Sequence, residues 1–139
     1  MRGEPMIGNL ARKLQIRSGA RALVINPPEG YLDLLSPLPA GASVAASGEG
    51  PFEVVQLFAR TRSDLDAGIA QAMSTAGPDG ILWLSYPKLA SASASDLSRQ
   101  AVWDALVGTG WEPVTQVAVD ETWSALRIRP TEKVGSRRG

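Results

Sequence analysis

Apolar positions along the chain fall into short unbroken runs, separated by segments in which they recur at helical spacing. The clearest run is Ala-Leu-Val-Ile at residues 22–25, which stops at an asparagine, a proline pair and the Glu-Gly of residues 29–30. Short apolar runs bounded by turn formers are typical of strands buried on both faces, as in the centre of a parallel sheet. Residues 52–59 and 81–86 have the same character, so the pattern predicts three central strands.

Two short helices are predicted around the first strand. Before the strand, apolar residues recur at the spacing of three and four that indicates an amphipathic helix: Ile7, Leu10, Ala11 and Leu14. After the strand, residues 31–35 predict barely two helical turns, because Pro37 and Pro39 cannot continue a helix.

Two longer helices are predicted in the second half of the chain. The segment Ser63-Asp64-Leu65-Asp66 has the pattern of a capping box, and the helix that follows has a buried stripe at Leu65, Ile69, Ala72 and Met73. Residues 77–80, Gly-Pro-Asp-Gly, should end this helix. A later helix should be capped by Ser95 or Asp96. Its side chains at Trp103, Leu106 and Val107 are expected to face the core.

The remaining segments complete the predicted sheet. Residues 42–47 are small and poorly branched, which favours a weak strand at a sheet edge. Residues 89–95 are rich in Ala and Ser and predict a mobile loop. Residues 114–119 and 122–129 are joined by too few residues for a crossover, so they should form an antiparallel hairpin. In the second strand of the hairpin, side chains should alternate between the two faces of the sheet, so that one face has Trp123, Ala125 and Arg127.

This order of elements predicts an α/β fold of the Rossmann-like type. It has three layers and a mostly parallel sheet with an antiparallel C-terminal hairpin strand. Residues 1–130 are expected to form a single domain, and residues 131–139 a disordered basic tail.

Composition narrows the chemistry that the domain can perform. The 139 residues include no cysteine and no histidine, which excludes zinc sites of the usual kind, histidine bases and cysteine nucleophiles. Fourteen basic residues balance fourteen acidic ones, so no electrostatic footprint for nucleic acid is present. The chain starts without a secretory signal and lacks the apolar run of ~20 residues that a membrane span needs, so we expect a cytoplasmic protein without membrane contact.

Several segments resemble known families. Residues 14–25 and 76–87, together with the terminal hairpin, resemble class I S-adenosylmethionine-dependent methyltransferases. A closer resemblance is carried by Pro-Glu-Gly-Tyr, Val-Gln-Leu-Phe, Leu-Trp-Leu-Ser-Tyr-Pro-Lys and Asp-Glu-Thr-Trp-Ser-Ala-Leu-Arg. These runs are similar to the DUF3052-type family of short uncharacterised bacterial proteins. That resemblance spans nearly the whole chain and implies no known activity.

The methyltransferase resemblance implies S-adenosylmethionine as cofactor, but two positions depart from the pattern. Those enzymes have a glycine-rich first loop with free amides, whereas Pro27 and Pro28 have no N–H. Their second strand ends in an acidic residue, whereas here it ends at Ser47, with Glu49 two residues later. The expected function is therefore a non-catalytic binding or interaction module. The alternative is a diminished methyltransferase or another small-molecule enzyme.

Topology suggests where a ligand would bind. The loops at residues 26–30, 60–62, 85–88 and 120–121 should share one edge of the sheet, where ligands bind in open α/β folds. The candidate site residues in or beside them are Asn26, Glu29, Tyr86, Lys88, Glu121 and Trp123. Lys88 is expected to lie near Glu29 or Glu121.

Each candidate also has a structural explanation. Asn26 can cap its own turn, Glu29 can be solvated, Tyr86 can be a core residue, and the acidic hairpin tip can simply face water. Trp83 and Trp103 are expected in the core. The sequence does not determine whether the partner is a small molecule or a protein. It also allows a homodimer formed through an edge strand or the hairpin.

Overall fold

The structure, a computed structural model, describes residues 9–88 and 97–131. The elements of these ranges are, in chain order, α1 (Asn9–Lys13), β1 (Arg21–Ile25), α2 (Tyr31–Leu34), β2 (Ser43–Ala45), β3 (Phe52–Phe58), α3 (Arg62–Thr75), β4 (Ala76–Pro87), α4 (Arg99–Leu106), β5 (Trp111–Ala118) and β6 (Trp123–Pro130).

The strands form one sheet in the order β2-β1-β3-β4-β6-β5. The first four strands of this order run parallel, while β6 is antiparallel to both of its neighbours. The predicted Rossmann-like class, the central strands and the C-terminal hairpin are therefore confirmed. The weak second strand is present as a three-residue strand at the predicted edge.

Apolar side chains cover both faces of the sheet and divide the core in two. On one face α3 and α4 pack against strand residues that include Leu23, Leu57, Leu84 and Leu126. On the other face α1 and α2 pack against strand residues that include Val24, Phe58, Trp83 and Trp123. Successive strand residues point to opposite faces, so the unbroken apolar runs supply both halves of the core and give three layers.

The long helix α3 begins two residues earlier than its sequence predicts. Its N-cap is Thr61, whose hydroxyl accepts the amide of Asp64 at 3.1 Å, so the capping box at Ser63 was wrong. Thr61 and Asp64 have the same spacing as Ser63 and Asp66, and the spacing alone cannot distinguish the two pairs.

Strand β4 begins directly after α3. Residues 77–80, predicted as a turn, belong to β4 as an irregular stretch, because Phe52 pairs with Ala76 and Val54 pairs with Ile81. Beyond this bulge the predicted strand at residues 81–86 follows regular pairing with β3.

The inward face of α4 differs from the predicted one. Trp103 and Val107 are 48% and 73% exposed, so their placement in the core was wrong, whereas Leu106 is buried as predicted. Val102 and Leu106, four residues apart, form the buried stripe, and Ser98 caps the helix instead of Ser95 or Asp96. One residue corresponds to a rotation of about 100° around a helix, which moves Trp103 out of the stripe.

Some expectations fall on residues that are not described. Ile7, the loop at residues 89–95, and residues 132–139 of the tail lie outside the described ranges. Within those ranges, no helix has the length and apolarity that crossing a membrane requires.

Candidate ligand-binding site

The cavity of greatest functional interest lies where the strand order reverses. The chain leaves β1 to form β2 on one side of it and then returns to form β3 on the other side. In open α/β sheets such a switch point leaves a crevice outside the carboxyl ends of the two strands, and ligands bind there. A cavity of about 440 Å³ occupies this position, lined by Asn26, Pro27, Pro28, Glu29, Phe58, Arg60, Asp64 and Trp123. We call it the switch-point cavity.

One wall of the switch-point cavity is the loop after β1. Asn26 adopts a positive φ of 58°, a region that Asn tolerates better than most residues. The loop closes with a hydrogen bond from the amide of Tyr31 to the carbonyl oxygen of Pro28, at 3.0 Å. Pro27 and Pro28 have no amide hydrogen, so this wall offers the side chains of Asn26 and Glu29 in place of backbone donors.

The second wall is the junction of β3 with α3. The carboxylate of Asp64 accepts the backbone amide of Arg60 at 3.0 Å, while the Asp64 amide donates to the Thr61 hydroxyl. These two hydrogen bonds fix the turn before α3 and place a guanidinium and a carboxylate beside the cavity. A negative charge in the first helical turn is also favourable for α3, since the N-terminal end of a helix carries partial positive charge.

Aromatic rings form the floor. Phe58 packs edge-on against Tyr31 and against Trp123, with ring centroids 4.6 Å and 4.9 Å away. The guanidinium of Arg60 lies over the Trp123 ring, 5.0 Å from its centroid. Trp123 is only 5% exposed, so it supports the cavity as part of the core and is not an open stacking surface.

The hairpin between β5 and β6 holds Trp123 in place. A single carboxylate oxygen of Asp120 accepts the amides of Thr122 and Trp123, each at 2.8 Å. The amide of Lys88 donates to the carbonyl oxygen of Thr122 at 2.7 Å and joins the hairpin to the end of β4. The hairpin tip and the end of β4 therefore lie at the same edge of the sheet, as their order predicts.

A buried hydrogen-bonded chain runs beneath the floor. The Tyr31 hydroxyl donates to Gln56 Oε1 at 2.6 Å, and Gln56 Nε2 donates to the Ser85 hydroxyl at 2.8 Å. Burial raises the pKa of Tyr31 well above its usual range, and the nearby charge of Asp120 raises it further. Tyr31 is therefore a neutral hydrogen-bond donor at physiological pH and does not act as a base.

The structure brings together only part of the predicted site. Asn26, Glu29 and Trp123 line the switch-point cavity. Tyr86 is buried in the core on the opposite face of the sheet, because it alternates with Trp83 and Ser85 along β4. Its structural explanation is the correct one.

The other two predicted residues lie outside the cavity. Neither Lys88 nor the exposed Glu121 is among the described residues that line it. Two charged residues that do line it, Arg60 and Asp64, were not among the candidates, although the loop at residues 60–62 was expected at this edge. The available signal was their position directly after a central strand at the switch point.

The cavity does not fit the usual way of holding S-adenosylmethionine. Residues 27 and 28 cannot donate backbone hydrogen bonds, and β2 ends in Ala45 with no carboxylate there to hold a ribose. Glu49 does not replace it, because its carbonyl oxygen accepts the Arg21 guanidinium at the amino end of β1, at the opposite edge of the sheet. Both features of the methyltransferase cofactor site are therefore missing.

Solved structures with a similar fold nevertheless include SAM-dependent methyltransferases. A DhpI structure in complex with SAH has 13% sequence identity and a TM-score of 0.59, covering 88% of this chain and 82% of that chain. A SAM-dependent methyltransferase from Aquifex aeolicus has 10% identity and a TM-score of 0.58, covering 86% and 87%.

A third similar structure is a ribosomal protein L11 methylase from Lactobacillus delbrueckii subsp. bulgaricus, with 12% identity and a TM-score of 0.57, covering 87% of this chain and 74% of that chain. No protein-family model and no curated protein matches the chain. At these identities the likeness establishes the fold, so the chain has the Rossmann-like fold of SAM-dependent methyltransferases.

Proposed function

We propose that this protein is a small methyltransferase-like binding module of the DUF3052 type, which binds a small polar ligand in the switch-point cavity and does not transfer methyl groups. We further propose that it acts in the bacterial cytoplasm. The observation that carries the proposal is the composition of the cavity. It keeps the position of a cofactor site, but prolines replace the amides that a cofactor would need.

The walls favour a ligand that carries both polar and apolar groups. Glu29 and Asp64 supply negative charge, Arg60 supplies positive charge, and Phe58 contributes an apolar floor. A volume of about 440 Å³ lies within the range of ~300–1,000 Å³ that small-molecule sites occupy. Histidine and cysteine are absent from the chain and Tyr31 is neutral, so proton transfer or nucleophilic attack in the cavity would depend on the carboxylates of Glu29 and Asp64, and the Asp64 carboxylate already accepts the Arg60 amide.

Thermal unfolding with added ligands tests the proposal. S-adenosylmethionine and SAH should leave the melting temperature unchanged, whereas a screen of small zwitterions and nucleosides should contain a stabilising ligand. A ligand present at a hundred times its dissociation constant adds ~2.7 kcal/mol of stability, which raises the melting temperature of a domain of this size by several degrees.

Variants then locate the binding. Arg60→Gln should weaken the ligand found in the screen about tenfold, as expected for loss of a charged hydrogen-bond donor. Arg129→Gln removes the same charge from a residue outside the cavity lining and is the matched control. Stabilisation by S-adenosylmethionine at micromolar concentration, lost in Arg60→Gln, would overturn the non-catalytic reading.

A diminished methyltransferase is the second candidate. It is favoured by the shared fold, which extends over 87% of the chain of the SAM-dependent methyltransferase from Aquifex aeolicus and 74% of the chain of the ribosomal protein L11 methylase. This candidate requires S-adenosylmethionine binding in the switch-point cavity, so calorimetry with the cofactor decides between the two readings.

A further inference from the structure

A second cavity, of about 410 Å³, lies on the face of the sheet that α1 covers, towards the amino ends of the parallel strands. Its floor is apolar and consists of Val54 on β3 and Ile81 on β4, which are paired neighbours. Its rim contains two guanidinium groups that are far apart in sequence, those of Arg17 and Arg127. We call it the amino-edge cavity. The proposed function does not use it, since the switch-point cavity lies at the opposite edge.

The rim loop at residues 15–20 is held in a defined shape. Helix α1 ends in a Schellman motif, in which the amide of Ile16 bonds the carbonyl oxygen of Ala11 and the amide of Gln15 bonds that of Arg12, both at 3.0 Å. Gln15 takes the left-handed position of this motif, with a φ of 65°, which usually favours glycine.

The other end of the same loop is also held by backbone hydrogen bonds. The amide of Gly19 donates to the carbonyl oxygen of Ala40 at 2.8 Å, and the amide of Ala20 donates to that of Arg17 at 3.0 Å. These bonds order the backbone on both sides of Arg17 before any ligand binds, which lowers the entropic cost of binding.

The charges of the lining favour an anion. Among the described residues of the lining, two are arginines, Arg17 and Arg127, and one is acidic, Glu53. One oxygen of Glu53 accepts the backbone amide of Arg21 at 2.6 Å, which ties this carboxylate to the start of β1. Gln15 and Ser18 add neutral hydrogen-bonding groups to the rim.

We propose that the amino-edge cavity is a second ligand site, which binds a small organic anion whose phosphate or carboxylate group contacts Arg17 and Arg127 and whose apolar part lies on Val54 and Ile81. Guanidinium groups form charge-assisted, often bidentate hydrogen bonds with both kinds of anion. The apolar floor distinguishes such a ligand from a free inorganic ion, since burying apolar surface adds to the affinity.

Titrations followed by amide NMR test this site. The probes are phenyl phosphate, benzoate and inorganic phosphate, each added to the complete chain at fixed ionic strength. Phenyl phosphate or benzoate should shift the amides of residues 15–20 and of Val54 and Ile81, and bind at least about fivefold more tightly than inorganic phosphate, because only the ring covers the floor. Whichever of phenyl phosphate and benzoate binds more tightly identifies the preferred anionic group.

Charge variants separate a built site from general attraction. Arg17→Gln should weaken phenyl phosphate about tenfold, as loss of a charge-assisted hydrogen bond does. Arg129→Gln is the matched control, because Arg129 lies two residues beyond Arg127 on β6 and is outside the lining. Arg127→Gln is a second test, interpreted only if its unfolding transition matches that of the original protein.

Three results would overturn the proposal: no shifts around the amino-edge cavity, equal weakening by Arg17→Gln and Arg129→Gln, or shifts confined to the switch-point cavity. Because the readout is local to residues 15–20, 54 and 81, these outcomes are distinguishable from failure of the proposed function. The switch-point cavity can be empty of ligand while the amino-edge cavity binds its anion, and the reverse also holds.

Discussion

Single residues in the core of this protein carry more polarity than the apolar runs suggest. Gln56 and Ser85 are each only 1% exposed, and Tyr31 is 2% exposed. Buried polar groups are costly unless they are hydrogen-bonded, and these three form one chain on the face of the sheet beneath the switch-point cavity. A satisfied network of this kind gives the floor of the cavity a defined arrangement.

Replacing Tyr31 with Phe should destabilise the protein and change its response to alkaline pH. At neutral pH the variant leaves Gln56 Oε1 without its donor, at a cost of about 1–3 kcal/mol. Below pH ~10 the Tyr31 hydroxyl keeps its proton in both the folded and the unfolded protein. Above that pH the hydroxyl loses its proton in the unfolded chain and keeps it in the folded chain, so the free energy of unfolding falls as pH rises.

Urea unfolding at pH 8 and pH 10.5 measures this effect. The difference in unfolding free energy between the original protein and Tyr31→Phe should be smaller at the higher pH by about 1 kcal/mol. An unchanged difference would mean that Tyr31 ionises in the folded protein, which absorbance of tyrosinate near 295 nm would detect directly.

Trp103 and Trp123 have environments opposite to those that the sequence suggests, since Trp103 was expected in the core and Trp123 was a candidate for ligand contact. Trp123 is 5% exposed and Trp103 is 48% exposed. Trp123→Ala should cost about 3–5 kcal/mol, as deletion of a buried ring does. Trp103→Ala should change stability by about 0.5 kcal/mol or less, as surface substitutions do. Chemical unfolding of both variants checks the contrast, and similar losses would contradict the burial described here.

At the scale of elements, the helix starts show the limit of short motifs. The segment Thr61-Arg-Ser-Asp-Leu-Asp66 contains two overlapping capping patterns, and the structure has the one that begins at Thr61. The buried stripe of α3, with Leu65 and Ala72 in the core, is the same for either cap, so the choice of cap affects only the start of the helix, where Asp64 lines the switch-point cavity. With the cap at Thr61, Asp64 and not Asp66 is the acidic residue that holds the turn beside the site.

The cap makes a prediction with an internal control. Thr61→Ala should destabilise the protein by about 1 kcal/mol, because the amide of Asp64 loses its acceptor. Ser63→Ala, two residues away and exposed, should change stability by about 0.5 kcal/mol or less. Thermal unfolding of the pair provides the measurement, and a larger loss for Ser63→Ala would return the cap to the position that the sequence first indicates.

At the scale of the whole molecule, the sequence predicted the fold better than the site. Unbroken apolar runs and the short hairpin connection were sufficient for the sheet, because burial on both faces leaves few alternatives for such strands. The site depends on side-chain direction, which a shift of one residue reverses. Tyr86 shares the edge of the sheet with Ser85 but faces the other side, and Arg60 contributes through a turn whose shape comes from Thr61 and Asp64.

The order of the strands also predicts how stability is distributed. Strands β1, β3 and β4 each have a neighbour on both sides, whereas β2 has three residues and a partner on one side only. Amides of the central strands should exchange with solvent most slowly, near the rate set by global unfolding, and those of β2 should exchange much faster. Hydrogen–deuterium exchange followed by NMR at low protein concentration measures this difference.

Repeating the exchange experiment at high protein concentration then tests the open edges, since an unpaired strand is a template for pairing with another chain. Protection of β2 or β5 that grows with concentration, with light scattering that gives twice the monomer mass, would support the homodimer considered from the sequence. If the protection of these amides is independent of protein concentration, it comes from contacts within one chain. Equal protection of β2 and β3 at the lowest concentration would contradict the strand order, because an edge strand of three residues cannot match a central one.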